Sequence, residues 1–432
     1  MMRLLIALST VLLAAIGAWL TPNPAQAKKI CMEYPMSRYN DASPRAFTAE
    51  NNCNSDDDCD SVAGAVSATC EPNACVYDFG EDLGRSDTNR KARYILAQVY
   101  RDNGNLAWVG YATKDGCTGN FSGGGGPFRL RTYSVYQSTV TDTRFSVKEC
   151  SGYTPLTCQT SVSDLTDIDM VGLSTVTVLL DPSAAIDAFI PMSNALTRLA
   201  ENVFGTWVDF DVQVGRRGCN GSTQECGAAT DWPSGTLFPR ITLPRNQARA
   251  KFNTVHEMTH AIELDLLGTT SGVLDCSNGS SDHTMRSVEY NSCANTEGLA
   301  HYVAAAAWNN LGNNANGHFV FFGDLSPGSF NAWDIESGTD EISAQCSSSC
   351  CGLGTEYDWA RFYWDFRTNS GVKPSNLDPL FITESAHPYA WAGSDNCSPG
   401  HYSDIEAEAQ SQLSSSLFTR WVLLAAANGV DN

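Results

Sequence analysis

Basic residues are scarce in this chain. Its 432 residues include 27 lysines and arginines against 48 aspartates and glutamates, a net charge of −21. A surface so short of cations argues against nucleic acid and against anionic membrane as partners. Other things are missing too. The glycine run Gly123 to Gly126 is not followed by Lys-Ser/Thr, so it reads as a flexible loop and not as a phosphate cradle. The acidic run Asp56, Asp57, Asp58 and Asp60 lacks the glycine and the closing glutamate of a calcium loop, and reads as a solvated turn. No lipid-attachment cysteine follows the N-terminal apolar run, because Cys31 does not stand in a lipobox.

What is present points to export. Arg3 gives a positive start, Leu4 to Leu20 is apolar, and Ala25-Gln26-Ala27 forms an A-x-A cleavage site. Residues 1–27 therefore read as a signal peptide, with no stable membrane insertion after cleavage. All 16 cysteines lie after Ala27, an even number that reads as disulfides. Such a protein is expected to be secreted, or periplasmic in a bacterium. Cys150 and Cys158, Cys219 and Cys226, and Cys276 and Cys293 are spaced as local pairs. The cluster Cys53, Cys59, Cys70 and Cys75 fits no zinc spacing, and the rest of the connectivity stays open.

With 42% hydrophobic residues and this length, the chain can build a core and two or three domains. Residues 28–85 are cysteine-rich and lack long apolar runs, as in a small disulfide-stapled module. Residues 86–172 read as strands. Asp102-Asn103-Gly104-Asn105 joins two of them as a hairpin, and "FRLRTYSVY" and "TRFSVKEC" alternate apolar and polar positions. This segment is expected to be a small β-sandwich. From 173 to 432 the pattern mixes strands ("STVTVLLD", "WVDFDVQVG", "FPRITLP") with helical spacing at 186–204, 246–267, 295–310, 355–369 and 404–426. Strands first and helices later predict an α+β catalytic unit.

The chemistry concentrates at "TVHEMTH", residues 254–260. Phe252, Val255, Thr259, Ile262 and Leu266 follow helical spacing and predict a helix with this face in the core. On that helix His256 and His260 lie one turn apart on one side, since four residues turn through about 400°. Both imidazoles can then reach one zinc ion, at roughly 2.0–2.1 Å each. Glu257 points to the neighbouring side, where it can accept a proton rather than bind metal. A catalytic zinc needs a third protein ligand. A histidine six residues after His260 would supply it in a metzincin, but Leu266 stands there. Glu297, in the first turn of the next helix, is the remaining candidate.

His256-Glu257-Met258-Thr259-His260 followed by Glu297-Gly298-Leu299-Ala300-His301-Tyr302 resembles the gluzincin metallopeptidases, over roughly residues 173–432. The resemblance implies a thermolysin-like catalytic domain, with His256, His260 and Glu297 as ligands to one catalytic Zn²⁺ and Glu257 as general base. It implies a protein or peptide substrate. It also implies an edge strand before the active-site helix, here Arg240, Ile241, Thr242 and Leu243, on which an extended substrate pairs. Tyr357 resembles the tyrosine of a Y-x-x-G-A element that donates to the oxyanion, although Ala360 replaces the glycine. It is expected in an exposed first turn. Two departures are visible. The connection from His260 to Glu297 is about twice as long as in the aminopeptidase branch, and His301 stands where thermolysin-like members have a supporting aspartate. The family's aminopeptidases bind the substrate amine through a G-x-M-E-N segment, which this chain lacks. An endopeptidase is therefore expected. An aminopeptidase of the same clan and a non-catalytic secreted binding or adhesion protein are the alternatives.

Overall fold

The computed structural model describes residues 27–34, 67–71, 74–78, 91–122, 127–138, 143–152, 156–181, 183–202, 209–219, 223–245, 247–248, 250–267, 285, 289–309, 311, 318–320, 332–335, 353–368 and 400–431. The expected signal peptide up to residue 26, the acidic run, Cys53, Cys59 and Cys276 lie outside them. The described residues form a mixed α+β structure.

Its centre is one nine-stranded sheet. Strands β4 (Ile95–Arg101), β5 (Leu106–Tyr111), β7 (Phe128–Gln137) and β8 (Arg144–Ser151) pair antiparallel. Here β1 is Ala27–Glu33, β2 and β3 are the hairpin Ser67–Glu71 and Ala74–Asp78, and β6 is Phe121–Ser122. Strand β9 (Thr157–Thr160) pairs with β8 and β10 (Thr166–Ile168) with β7. Beyond β8 the sheet continues in parallel through β12 (Asp209–Val214) to β14 (Arg240–Leu243), and β13 (Ala229–Asp231) closes it antiparallel to β14. Strand β11 (Thr175–Leu179) lies in a smaller sheet, parallel to β1.

The alternation that predicted strands is the alternation that buries one face. Along β7 every second residue from Phe128 to Tyr136 is buried. Tyr136 stacks on Phe145 of β8 with ring centroids 4.8 Å apart, and Phe145 stacks on Phe210 of β12 at 5.0 Å. Phe189 of helix α1 (Ala184–Asn202) covers this row, 5.4 Å from Phe145. Each such aromatic pair adds about 0.5–1.5 kcal/mol beyond the area it buries. The expected β-sandwich over 86–172 is thus found as part of a larger sheet. Its strands continue into β12 and β14, and a helix covers its buried face. The expected boundary at residue 172 marks no break in this sheet.

The expected local disulfides Cys150–Cys158 and Cys219–Cys226 are present, and Cys293 is also disulfide-bonded. A further disulfide joins Cys31 to Cys117 across 86 residues. On the chain-entropy argument, closing a loop of that length stabilises by roughly 4–5 kcal/mol. Together with the β1–β11 pairing it fixes the start of the expected cysteine-rich module to the main body.

The helical part follows the sheet: α2 (Lys251–Leu267), α3 (Asn291–Trp308), α4 (Glu356–Thr368), α5 (Gly400–Gln412) and α6 (Ser415–Ala427). Helix α3 packs between α2 and α4. The last two replace a single expected helix over 404–426. The break falls at Leu413–Ser414, ahead of a serine run, and Ser414 is extended at φ −61° and ψ 154°. Serine is a residue type favoured at the start of a helix, although the Ser414 hydroxyl here meets that of Ser416 and makes no capping bond. Among the described residues no helix is long and apolar enough to cross a membrane.

Candidate metal centre

Helix α2 buries Phe252, Val255, Met258, Thr259 and Ile262 against the core. That fixes the helix rotation and sets His256 and His260 on the face turned toward α3. Helix α3 presents Glu297 from its second turn and not from the expected first, because the helix already starts at Asn291. The three side chains meet: His256 Nε2 lies 3.0 Å from His260 Nε2, and Glu297 Oε2 lies 3.0 Å from the first and 3.2 Å from the second. Ligand atoms on a tetrahedral ion with bonds of about 2.1 Å stand roughly 3.4 Å apart. Two imidazole nitrogens and a carboxylate oxygen aimed at one point fit a divalent cation.

The electrostatics favour positive charge at that point. Burial by itself raises a carboxylate, yet the charges and hydrogen bonds of His260 and His256 hold Glu297 well below its ordinary value. Burial would lower His260, but Glu297 and Glu263 together push it well above the usual imidazole range. His256 is lowered by burial and by the neighbouring His301 and His260. Glu263 accepts from His260 Nδ1 at 2.9 Å, which directs the lone pair of Nε2 to the centre. Burial pushes Glu263 up to about 7 against the pull of His260.

Glu257 is buried and points toward the sheet. The Thr230 hydroxyl, on β13, stands 2.8 Å from both the Glu257 backbone carbonyl and Oε2. On the other side of the triad, the His301 ring lies 4.4 Å from the His256 ring, and His301 Nε2 is 3.0 Å from Glu356 Oε2.

Two expectations need correction. Arg240, Ile241, Thr242 and Leu243 do form a strand, but not an edge. Strand β14 pairs with β12 on one side and β13 on the other, and Ile241 and Leu243 are fully buried. Among the described residues the edge belongs to β13, whose Asp231 is clamped by the Arg240 guanidinium. Tyr357 is not in an exposed turn. It is 2% exposed, and its hydroxyl donates to the Ile335 carbonyl at 3.2 Å. The helix start around it is as expected, with the Thr355 hydroxyl accepting from the Asp358 N–H at 3.2 Å.

Sequence reasoning missed Thr230, Glu263 and Glu356 as parts of this site. Glu263 could have been found, since it stands three residues after His260 on the same helix face. No protein-family model matches the chain, and no curated protein matches it.

Proposed function

We propose that this chain is an exported zinc-dependent metallopeptidase that cuts within protein or peptide chains. The observation that carries the reading is the convergence of His256, His260 and Glu297, with an unligated glutamate, Glu257, next in sequence to the first of them. Two imidazoles and one carboxylate are a donor set suited to zinc. The resemblance of both motifs to the gluzincins supports the same reading. The disulfides and the signal-like N-terminus support export.

A bound zinc would polarise the scissile carbonyl and lower the pKa of water in its open position. The protein's own groups do the rest. Glu257 accepts the proton of the attacking water on its carboxylate and returns it to the leaving amine. Thr230 holds that carboxylate in one orientation. Glu263 fixes the His260 ring. Strand β13, the edge of the sheet among the described residues, offers backbone groups on which an extended substrate can pair.

The test is metal analysis of purified protein beside an assay with internally quenched peptides. Glu257→Gln is expected to keep one stoichiometric metal and to lose turnover by about 10²–10⁴, because an amide cannot accept the proton. Full activity in that variant, or wild-type protein that binds no metal, would remove the proposal.

A further inference from the structure

The residues on the far side of the triad carry chemistry that a single metal does not use. His301 follows Glu297 by four residues on α3, so the two project from one face of the helix. Glu356 opens α4. A two-residue antiparallel ladder, Glu289–Tyr290 against Leu353–Gly354, ties the starts of α3 and α4 together. Gly298 then lets the α4 backbone lie directly on α3. As a result one ligand atom each from Glu297, His301 and Glu356 falls within 4.8 Å of the others. All three residues are buried, Glu356 completely.

We propose that Glu297, His301 and Glu356 form a second divalent-cation site, with Glu297 bridging it to the first. The inference rests on the metal reading of the first site, because Glu297 is shared. His301 Nε2 and Glu356 Oε2 are 3.0 Å apart, the same spacing as between ligand atoms of the first triad. The His256 and His301 ring centroids lie 4.4 Å apart, so the two triads adjoin each other, as the two ions of a two-metal site about 3.5–4 Å apart require. Two carboxylates and one imidazole suit a harder ion than the first triad does, so zinc and manganese are the candidates.

The experiment is a metal count on the full chain. Purified protein is stripped, reloaded with excess zinc, freed of unbound ion, and assayed for metal per chain. Two ions per wild-type chain are expected, and one in both His301→Ala and Glu356→Gln. Loaded with cobalt(II), the wild type is expected to show the weakened, spin-coupled signal of a carboxylate-bridged pair, and each variant the signal of an isolated ion. One ion per wild-type chain at saturation overturns the second site and leaves the first intact. No ion at all removes both readings. Two ions retained in both variants place the second ion elsewhere and also overturn the proposal. The wild-type count decides even if one variant fails to fold.

Discussion

The backbone carbonyl of Glu356 lies 2.7 Å from where a β-carbon on Gly298 would stand, and the β-carbon of Trp359 lies 2.5 Å from the same point. Glycine beside the candidate ligand Glu297 is therefore a packing requirement. It lets two helices cross at backbone contact, and this crossing brings Glu356 to His301.

Gly298→Ala is expected to force α3 and α4 apart, since the obstructing atoms belong to a backbone and a tryptophan β-carbon and cannot rotate away. Overpacking of this kind costs about 1–3 kcal/mol. Urea unfolding should show the loss as a lower midpoint, and metal affinity should fall with it as Glu297 shifts. A variant with the wild-type midpoint and affinity would mean that the helices are not held this closely.

Thr230 tests the link between the sheet edge and Glu257. Its hydroxyl has one proton to give and two acceptors at 2.8 Å, the Glu257 carbonyl and Oε2. Thr230→Val keeps the shape and removes the donor. A hydrogen bond to a charged group is worth about 1.5–3 kcal/mol. If half of that serves to orient the carboxylate, kcat should fall roughly tenfold with KM little changed. Thr230→Ser should recover most of the loss. An unchanged kcat in the valine variant would leave Thr230 as a tie between backbone segments only.

Much of this arrangement is legible in sequence, and what is not has a common cause. His256 and His260 are one turn apart on any helix, so their meeting needs no knowledge of the fold. Glu297 was reachable because it stands in a second helical stretch with its own motif, although the helix itself starts earlier, at Asn291. The strands β4, β7, β8 and β12 announce themselves by alternation. What alternation cannot show is which strand pairs with which. β14 reads as an edge until β13 is placed beside it, and β13 has three residues with no apolar pattern. The joining of β8 to β12 across the expected boundary is equally non-local. Cys31 and Cys117 are 86 residues apart, and nothing near either announces the other. Glu356 is a glutamate in a helix's first turn, an ordinary place for one. Only the crossing at Gly298 gives it a role.

Tyr357 separates a packing role from a chemical one. Its hydroxyl donates to the Ile335 carbonyl inside the protein, and a phenol has a single proton to donate. Tyr357→Phe is expected to leave that carbonyl short of a partner and to cost about 1 kcal/mol of stability. Thermal melts measure this directly. On the same preparation kcat should stay within about threefold of wild type, well short of the 10²–10³ that loss of an oxyanion donor brings. A fall of two orders with unchanged melting would instead return Tyr357 to the reaction.

Asp265, two residues beyond Glu263 on α2, gives the protein a pH-dependent weakness away from the candidate metal ligands. Burial pushes its carboxyl up to about 6, and the negative charge of Asp209 adds to the rise, while a hydrogen bond from the Asp209 backbone offsets part of it. In the unfolded chain the same group titrates near 3.9. Between those values the folded protein keeps a proton that the unfolded chain has released. Stability is therefore fully present below about pH 4, falls as pH rises through the window to about 6, and stays reduced above it. Asp265→Asn removes the titrating group and keeps an oxygen to accept from the Asp209 N–H. The variant should melt with the wild type at pH 4 and above it at pH 7.5. Because the side chain is only partly buried, solvent screening reduces the gain to roughly 0.5–1 kcal/mol, or about one to two degrees in a chain of this size. Melting curves at pH 4, 5.5 and 7.5 decide the matter. A gap of constant size across the three would mean that the substitution acts through packing and that Asp265 is not held protonated by the fold.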